Sequence, residues 1–245
     1  MAEAKHFTVL ENNPEVMNAL AKRLGLSEDL QFYDVYSLDE PELLAHIPRP
    51  ACALLVILPL TPAWDRDRRA EDSTVPDYDG SGDQEPVIWF KQTITHACGS
   101  IGMLHCAING SAAKSILPGS TLERLRADAI PLKRSDRAQM LYDSEAFEDA
   151  HQSVAAMGDT VPVGLEEGHR LGQHFVAFVK ADDGHLWELE GSRKGPLDRG
   201  LLRHDEDVLS PRALDLGLRR VMNIEKAAGG SDLRFSCIAL APRAS

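Results

Sequence analysis

The chain has 245 residues, 43% of them hydrophobic, with 26 Lys and Arg against 38 Asp and Glu for a formal net charge of -12. That length and apolar content can bury a full core and exclude a chain disordered throughout. The acidic balance argues against a nucleic-acid binder and for a basic partner. Cys52, Cys98, Cys106 and Cys237 stand far apart with no C-x-x-C pair, so neither a disulfide framework nor a metal site is expected. Residues 1–6 do not read as a signal peptide, and no apolar run approaches membrane length. A reducing compartment, the cytoplasm with the nucleus as a second location, is the expected setting.

Residues 13–24 read as a helix: Pro14 suits the first turn, Val16, Leu20 and Leu24 recur at helical spacing, and Gly25 closes it. Residues 31–36 and 53–58 read as strands, the second apolar on both faces and so central. A short helix starts around residue 39 and stops by Pro48. Residues 65–85 are charged and carry Pro76 and Gly80-Ser81-Gly82, which predicts a flexible acidic loop. Val87-Ile88-Trp89-Phe90 is rich in strand formers. Ile101, Leu104, Cys106 and Ile108 then repeat as a helix that ends at Asn109-Gly110.

Cys98 falls where the strand-like run gives way to that helix. There, unpaired backbone N–H groups and the helix dipole favour thiolate over thiol. A lone cysteine in a helix is most often core, so a nucleophile needs a base elsewhere in the chain. Ser120-x-x-Glu123 is a capping box for another helix. Residues 135–156 are helical with a break near Asp143-Ser144, and the Gly-rich residues 154–172 form a loop before the next strand. That strand, residues 173–179, opens on His174. Asp182-Asp183-Gly184 turns the chain into the alternating residues 185–190. The hairpin returns Glu190 toward His174, and Glu188, of the same parity, is a rival carboxylate. His105 reads as an interior histidine and His169 as a solvated loop residue. The chain closes on a strand over residues 234–240.

Gln92-Thr93-Ile94-Thr95-His96-Ala97-Cys98-Gly99-Ser100-Ile101-Gly102-Met103-Leu104-His105 resembles the nucleophile signature of the ubiquitin C-terminal hydrolases, papain-like deubiquitinating cysteine peptidases. His174-Phe175-Val176-Ala177-Phe178-Val179 and Trp187-Glu188-Leu189-Glu190-Gly191 are similar to the family's second signature, and Leu10-Glu11-Asn12-Asn13-Pro14-Glu15-Val16 to its N-terminal one. Two residues depart from the pattern: His96 stands where the family has Asn, and Glu190 where it has Asp.

The resemblance implies a single α+β domain spanning residues 1–245, with a papain-like fold: a mainly antiparallel central sheet with helices on both faces. It implies Cys98 as nucleophile, His174 as general base and acid, Gln92 as oxyanion donor and Glu190 as the residue that orients His174, with no cofactor and no metal. It further implies ubiquitin as partner, with Glu11, Glu15 and Asp34 meeting its basic tail, and residues 154–172 as a crossover loop that restricts substrates to small adducts or short peptides. A catalytically weakened, ubiquitin-binding pseudo-enzyme is the alternative that Glu190 leaves open.

Overall fold

The computed structural model describes residues 5–157, 172–229 and 235–244. Its frame is a six-stranded antiparallel sheet of order β1-β6-β2-β3-β4-β5. The strands are β1 (Leu30–Asp34), β2 (Ala53–Pro59), β3 (Gln173–Lys180), β4 (His185–Leu189), β5 (Leu197–Leu201) and β6 (Ser236–Pro242). β2 and β3 lie in the interior of the sheet and bury both faces. Leu54, Val56, Val176 and Phe178 pack into one core, and Leu55, Phe175, Ala177 and Val179 into another. Alternation along each strand feeds the two cores, and helices cover both faces, as an α+β fold of the papain-like type requires.

Local chemistry explains the helices. α1 (Pro14–Leu24) has Pro14 in its first turn, Asn13 accepting the N–H of Glu15, and Gly25 left-handed at φ 106°. α4 (Cys98–Ile108) is almost wholly buried. It lies on the sheet because its glycines permit close approach: a Cβ on Gly102 would come within 2.7 Å of Leu55, and one on Gly99 within 3.2 Å of the Phe175 ring. α5 (Thr121–Ala129) is capped by Ser120, whose hydroxyl accepts the N–H of Glu123. The predicted break falls between α6 (Arg134–Tyr142) and α7 (Glu145–Val154), where Ser144 caps the second helix. The expected crossover loop, with His169, lies largely outside the described residues.

The structure corrects two expectations and adds elements that the sequence pattern did not signal. Residues 65–73 are not loop but most of α3 (Pro62–Ser73), which follows α2 (Pro41–Leu44). Thr61 caps α3, and Asp65 pairs with Arg68 and Arg69 at helical spacing. The remainder, residues 74–85, is pinned: Tyr78 N–H donates to the Lys194 carbonyl, Gly82 N–H to that of Ile130, and Asp77 and Asp79 pair with Arg134 and Lys133.

Residues 87–90 join no ladder, because side chains satisfy their backbone. Asn109 accepts from Ile88 N–H and donates to the Ile88 carbonyl, His105 Nε2 accepts from Phe90 N–H, and buried Arg137 donates to the Trp89 carbonyl. β5 had no signal in the pattern, with Gly200 at φ 121° and a register shift opposite it. Nor had the pair α8 (Pro211–Leu216) and α9 (Leu218–Ala227), whose Ala213, Leu214 and Val221 cover the second core. At the far edge of the sheet, Asn18 of α1 bonds both the N–H and the carbonyl of Phe32, at 2.7 and 3.3 Å.

Candidate active site

Cys98 is the first residue of α4, behind Ala97, whose side chain cannot cap. The first-turn N–H groups therefore remain available to an anion. His174 opens β3 opposite Leu58, and Glu190 directly follows β4. Extending the β3–β4 register past Ala177↔Leu189 sets Glu190 beside Val176, diagonal to His174 and on the same face. His174 Nε2 meets Glu190 Oε1 at 2.6 Å, which leaves Nδ1 for the sulfur. The contact is close but off the line of a hydrogen bond, so it acts as an ion pair.

The electrostatics follow from these neighbours. Burial pushes the Cys98 thiol up, but the His174 imidazolium and the N–H groups of Phe175 and Gly99 outweigh it, and the net shift is down. Burial alone would lower His174; the Glu190 carboxylate and the Cys98 sulfur reverse this and raise it well above the ordinary imidazole range. Glu190 is buried, yet His174 and Ser192 hold it well below the usual carboxylate range. The three groups thus favour thiolate, imidazolium and carboxylate together.

Gln92 is docked against the carboxylate turn. Its N–H donates to the Gly191 carbonyl at 2.8 Å, and a Cβ on Gly191 would come within 2.8 Å of the Gln92 Cβ. Its side-chain Nε2 donates to the Ile94 carbonyl at 3.2 Å, which leaves the second amide N–H to spare. His96, where Asn was expected, sits at φ 62°; Asn and His both tolerate this left-handed region better than most residues.

Two openings flank His174 and share Ser192. One of about 500 Å3 is lined by Leu60, Trp64 and Arg68; the other, of about 330 Å3, is lined by Gln92 and His96.

The remaining predicted residues divide. Glu188, the rival carboxylate, is buried and turned to Arg199 Nε at 2.8 Å, with no contact to His174. His105 is interior and neutral, lowered to about 3 by burial. The N-terminal segment passes the cleft: Phe7 N–H donates to the Thr95 carbonyl, Leu10 lies against Gly99, and Asn12 bonds Ser236 at the start of β6. Glu11 therefore lies beside the cleft, and Asp34, opposite Ile238, ends β1 near the same corner. Glu15 is exposed in the first turn of α1.

Ser192, Lys91 and Arg193, which fix the turn after Glu190, carry no signal in the sequence pattern. Lys91 Nζ donates to the Ser192 and Arg193 carbonyls at 2.8 and 3.0 Å. Arg193 is buried and pairs with Glu71 and with Asp72. Among the described residues no cluster of His, Cys, Asp or Glu could hold a metal ion, and no helix is long and apolar enough to cross a membrane.

A thiolate held against an imidazolium at a helix N-terminus serves acyl transfer through sulfur, and on a helix-and-antiparallel-sheet frame it defines a papain-like cysteine hydrolase. The comparisons narrow that class. The profile of the family described as "Ubiquitin carboxyl-terminal hydrolase, family 1" matches residues 7–223. The chain is 32% identical over 231 residues to ubiquitin carboxyl-terminal hydrolase isozyme L1 of Monodelphis domestica and to that of Homo sapiens, covering 94% of this chain and 96% of each relative. The catalytic domain of Trichinella spiralis UCH37, solved bound to ubiquitin vinyl methyl ester, superposes with a TM-score of 0.73 at 22% identity, covering 100% of this chain and 98% of that one. The chain belongs to ubiquitin carboxyl-terminal hydrolase family 1, and it is a cysteine peptidase.

Proposed function

We propose that this peptidase cleaves the bond after the C-terminal glycine of ubiquitin and releases small adducts or short peptides. The observation that carries the chemistry is the Cys98–His174–Glu190 arrangement with its paired charges. Cys98 Sγ attacks the glycine carbonyl carbon, and the oxyanion receives the Cys98 backbone N–H and the spare Gln92 amide N–H. The imidazolium of His174 gives its proton to the leaving nitrogen or oxygen, and the acyl group stays on sulfur as a thioester. Water, losing a proton to His174, then attacks that carbonyl. The thiolate leaves, the ubiquitin carboxylate is freed and the imidazolium is restored. Glu190 holds the ring in place and stabilises its charge throughout.

Recognition is proposed to rest on charge. The basic tail that the family resemblance implies for ubiquitin suits a chain of net charge -12, and Glu11, Glu15 and Asp34 are its proposed contacts. A thiolate nucleophile also suits a reducing compartment, and we place the protein in the cytoplasm and nucleus. The reach of Glu190 to His174 is what a pseudo-enzyme would lack, and it favours turnover.

The experiment is labelling with ubiquitin that carries a C-terminal vinyl methyl ester. One adduct at Cys98, abolished in Cys98→Ala together with hydrolysis of ubiquitin C-terminal amides, is expected. Hydrolysis surviving in Cys98→Ala would move the nucleophile elsewhere.

A further inference from the structure

We propose that Ser192 is a positioning residue that clamps the Glu190 carboxylate for His174, offsetting the extra methylene this chain carries at that position. The inference rests on the hydrolase reading above and adds a fifth member to its site. Ser192 holds both carboxylate oxygens: its backbone N–H donates to Oε1 at 2.7 Å and its hydroxyl to Oε2 at 2.8 Å. Oε1 is also the oxygen that meets His174. A glutamate side chain has one more rotatable bond than an aspartate, and without tethers the carboxylate would sample several poses around the ring.

The direction of the hydroxyl bond is decided by its neighbour. Arg68 Nη1 donates to Ser192 Oγ at 3.2 Å, and a guanidinium can only donate. The single O–H of Ser192 is therefore left to point at Glu190. Lys91 fixes the serine from the other side through its carbonyl. The charged and titratable groups facing Glu190 are thus His174 from β3 with Cys98 behind it, His105 from α4, Lys91 from the segment before Gln92, and Arg68 of α3 acting through the serine. Ser192 itself stands exposed at the rim shared by both openings, so truncating it leaves no hole in a core.

The test is the pH dependence of Cys98 alkylation by iodoacetamide, located by peptide mass, alongside turnover of a ubiquitin C-terminal fluorogenic amide. The proteins are wild type, Ser192→Ala, Ser192→Thr, Glu190→Ala and the double variant Glu190→Ala with Ser192→Ala. Ser192→Ala is expected to move the acid limb of the alkylation profile to higher pH and its alkaline limb to lower pH. It should reduce kcat on the order of tenfold, the equivalent of about one pKa unit of lost ion-pair stabilisation, with KM little changed. Ser192→Thr, which keeps the hydroxyl, should restore both, and Ser192→Ala should be silent in the Glu190→Ala background. A Ser192→Ala profile that superimposes on wild type, or a Ser192→Ala factor that persists in full without Glu190, would overturn the proposal. Wild type that alkylates over a wide pH range yet never turns over the ubiquitin amide would sink the substrate assignment alone. The alkylation profiles would still decide the role of Ser192.

Discussion

Along α4, Ser100, His105 and Asn109 pair without charge, whereas at the β4–β5 edge the buried polar groups pair through ions. On the nucleophile side Asn109 and a neutral His105 bond the backbone of Ile88 and Phe90, and Ser100 Oγ lies 2.7 Å from His151 Nδ1 in the core. On the carboxylate side Glu71 of α3 meets Arg193 and Arg199, and Arg199 also takes Glu188. The bonds of Asn109 and His105 cost little desolvation, because neither takes an ion from water; buried Arg137, paired with Glu85, is an ion that also reaches this segment through the Trp89 carbonyl. An ionic network at a partly open edge grips a turn too short to have a core of its own. The difference teaches that one site can be rigid for two reasons, which salt and acid separate.

The largest effect should come from cutting the link between the halves. Glu190→Ala should lower kcat by about 10^2 to 10^4, since the orienting carboxylate of a triad is worth up to that much. Single-turnover kinetics would check it, and an unchanged rate would detach the ionic half from catalysis.

Next, Asn109→Ala strands Ile88 N–H, its carbonyl and the His105 carbonyl in the core, and should cost about 3 to 5 kcal/mol in urea melts, at roughly 1–3 kcal/mol for each unsatisfied group with partial relaxation. Glu188→Ala should cost less, about 2 kcal/mol, because a buried partner is lost while Arg199 keeps Glu71. A cost above that of Asn109→Ala would reverse the comparison.

Acid should also separate the halves. Burial lowers His105 to about 3 and His151 to about 4 from an ordinary value of 6.5. Their unfolded forms therefore bind protons first. The stability they contribute is complete above pH 6.5 and drains as pH falls through about 4 and then 3. Burial raises Glu71, but Arg199, Arg193 and Arg220 carry it down to about 2 from 4.5, so its contribution is complete above pH 4.5 and is lost toward pH 2. Hydrogen exchange on acidification should open α4 peptides before β5 peptides. The opposite order would refute the assignment of neutral histidines to the nucleophile half.

The smallest effect concerns salt. Raising ionic strength should slow ubiquitin association a few-fold through the on-rate, measured by stopped flow, and a flat response would make the net charge incidental.

How much of this was legible in the chain depended on whether a residue's role was local. The α4 motif, the β3–β4 hairpin, the Ser120 cap, the helix start at Asn13 and the break at Asp143-Ser144 are short-range patterns, and the sequence reading of them agrees with the structure. α3 was not legible, because Asp65, Arg68, Arg69 and Glu71 make it look solvated. Its partners, Arg193, Arg199 and Arg220, lie more than a hundred residues away. Residues 87–90 mimic a strand by composition, but their hydrogen bonds go to side chains that no propensity scale sees. Glu188 and Glu190 share parity, and only the end of the strand, where Glu190 leaves the ladder beside Gly191, separates a structural acid from one that reaches His174.

Asn18 has a consequence away from the cleft. β1 ends the sheet, and the outward N–H and carbonyl of Phe32 would be free to pair with a strand of another molecule. The Asn18 amide fills both, acting as a one-residue mock strand. Asn18→Ala would reopen that edge, and the protein would then be expected to aggregate on storage while still active, by recruiting like edges rather than by unfolding.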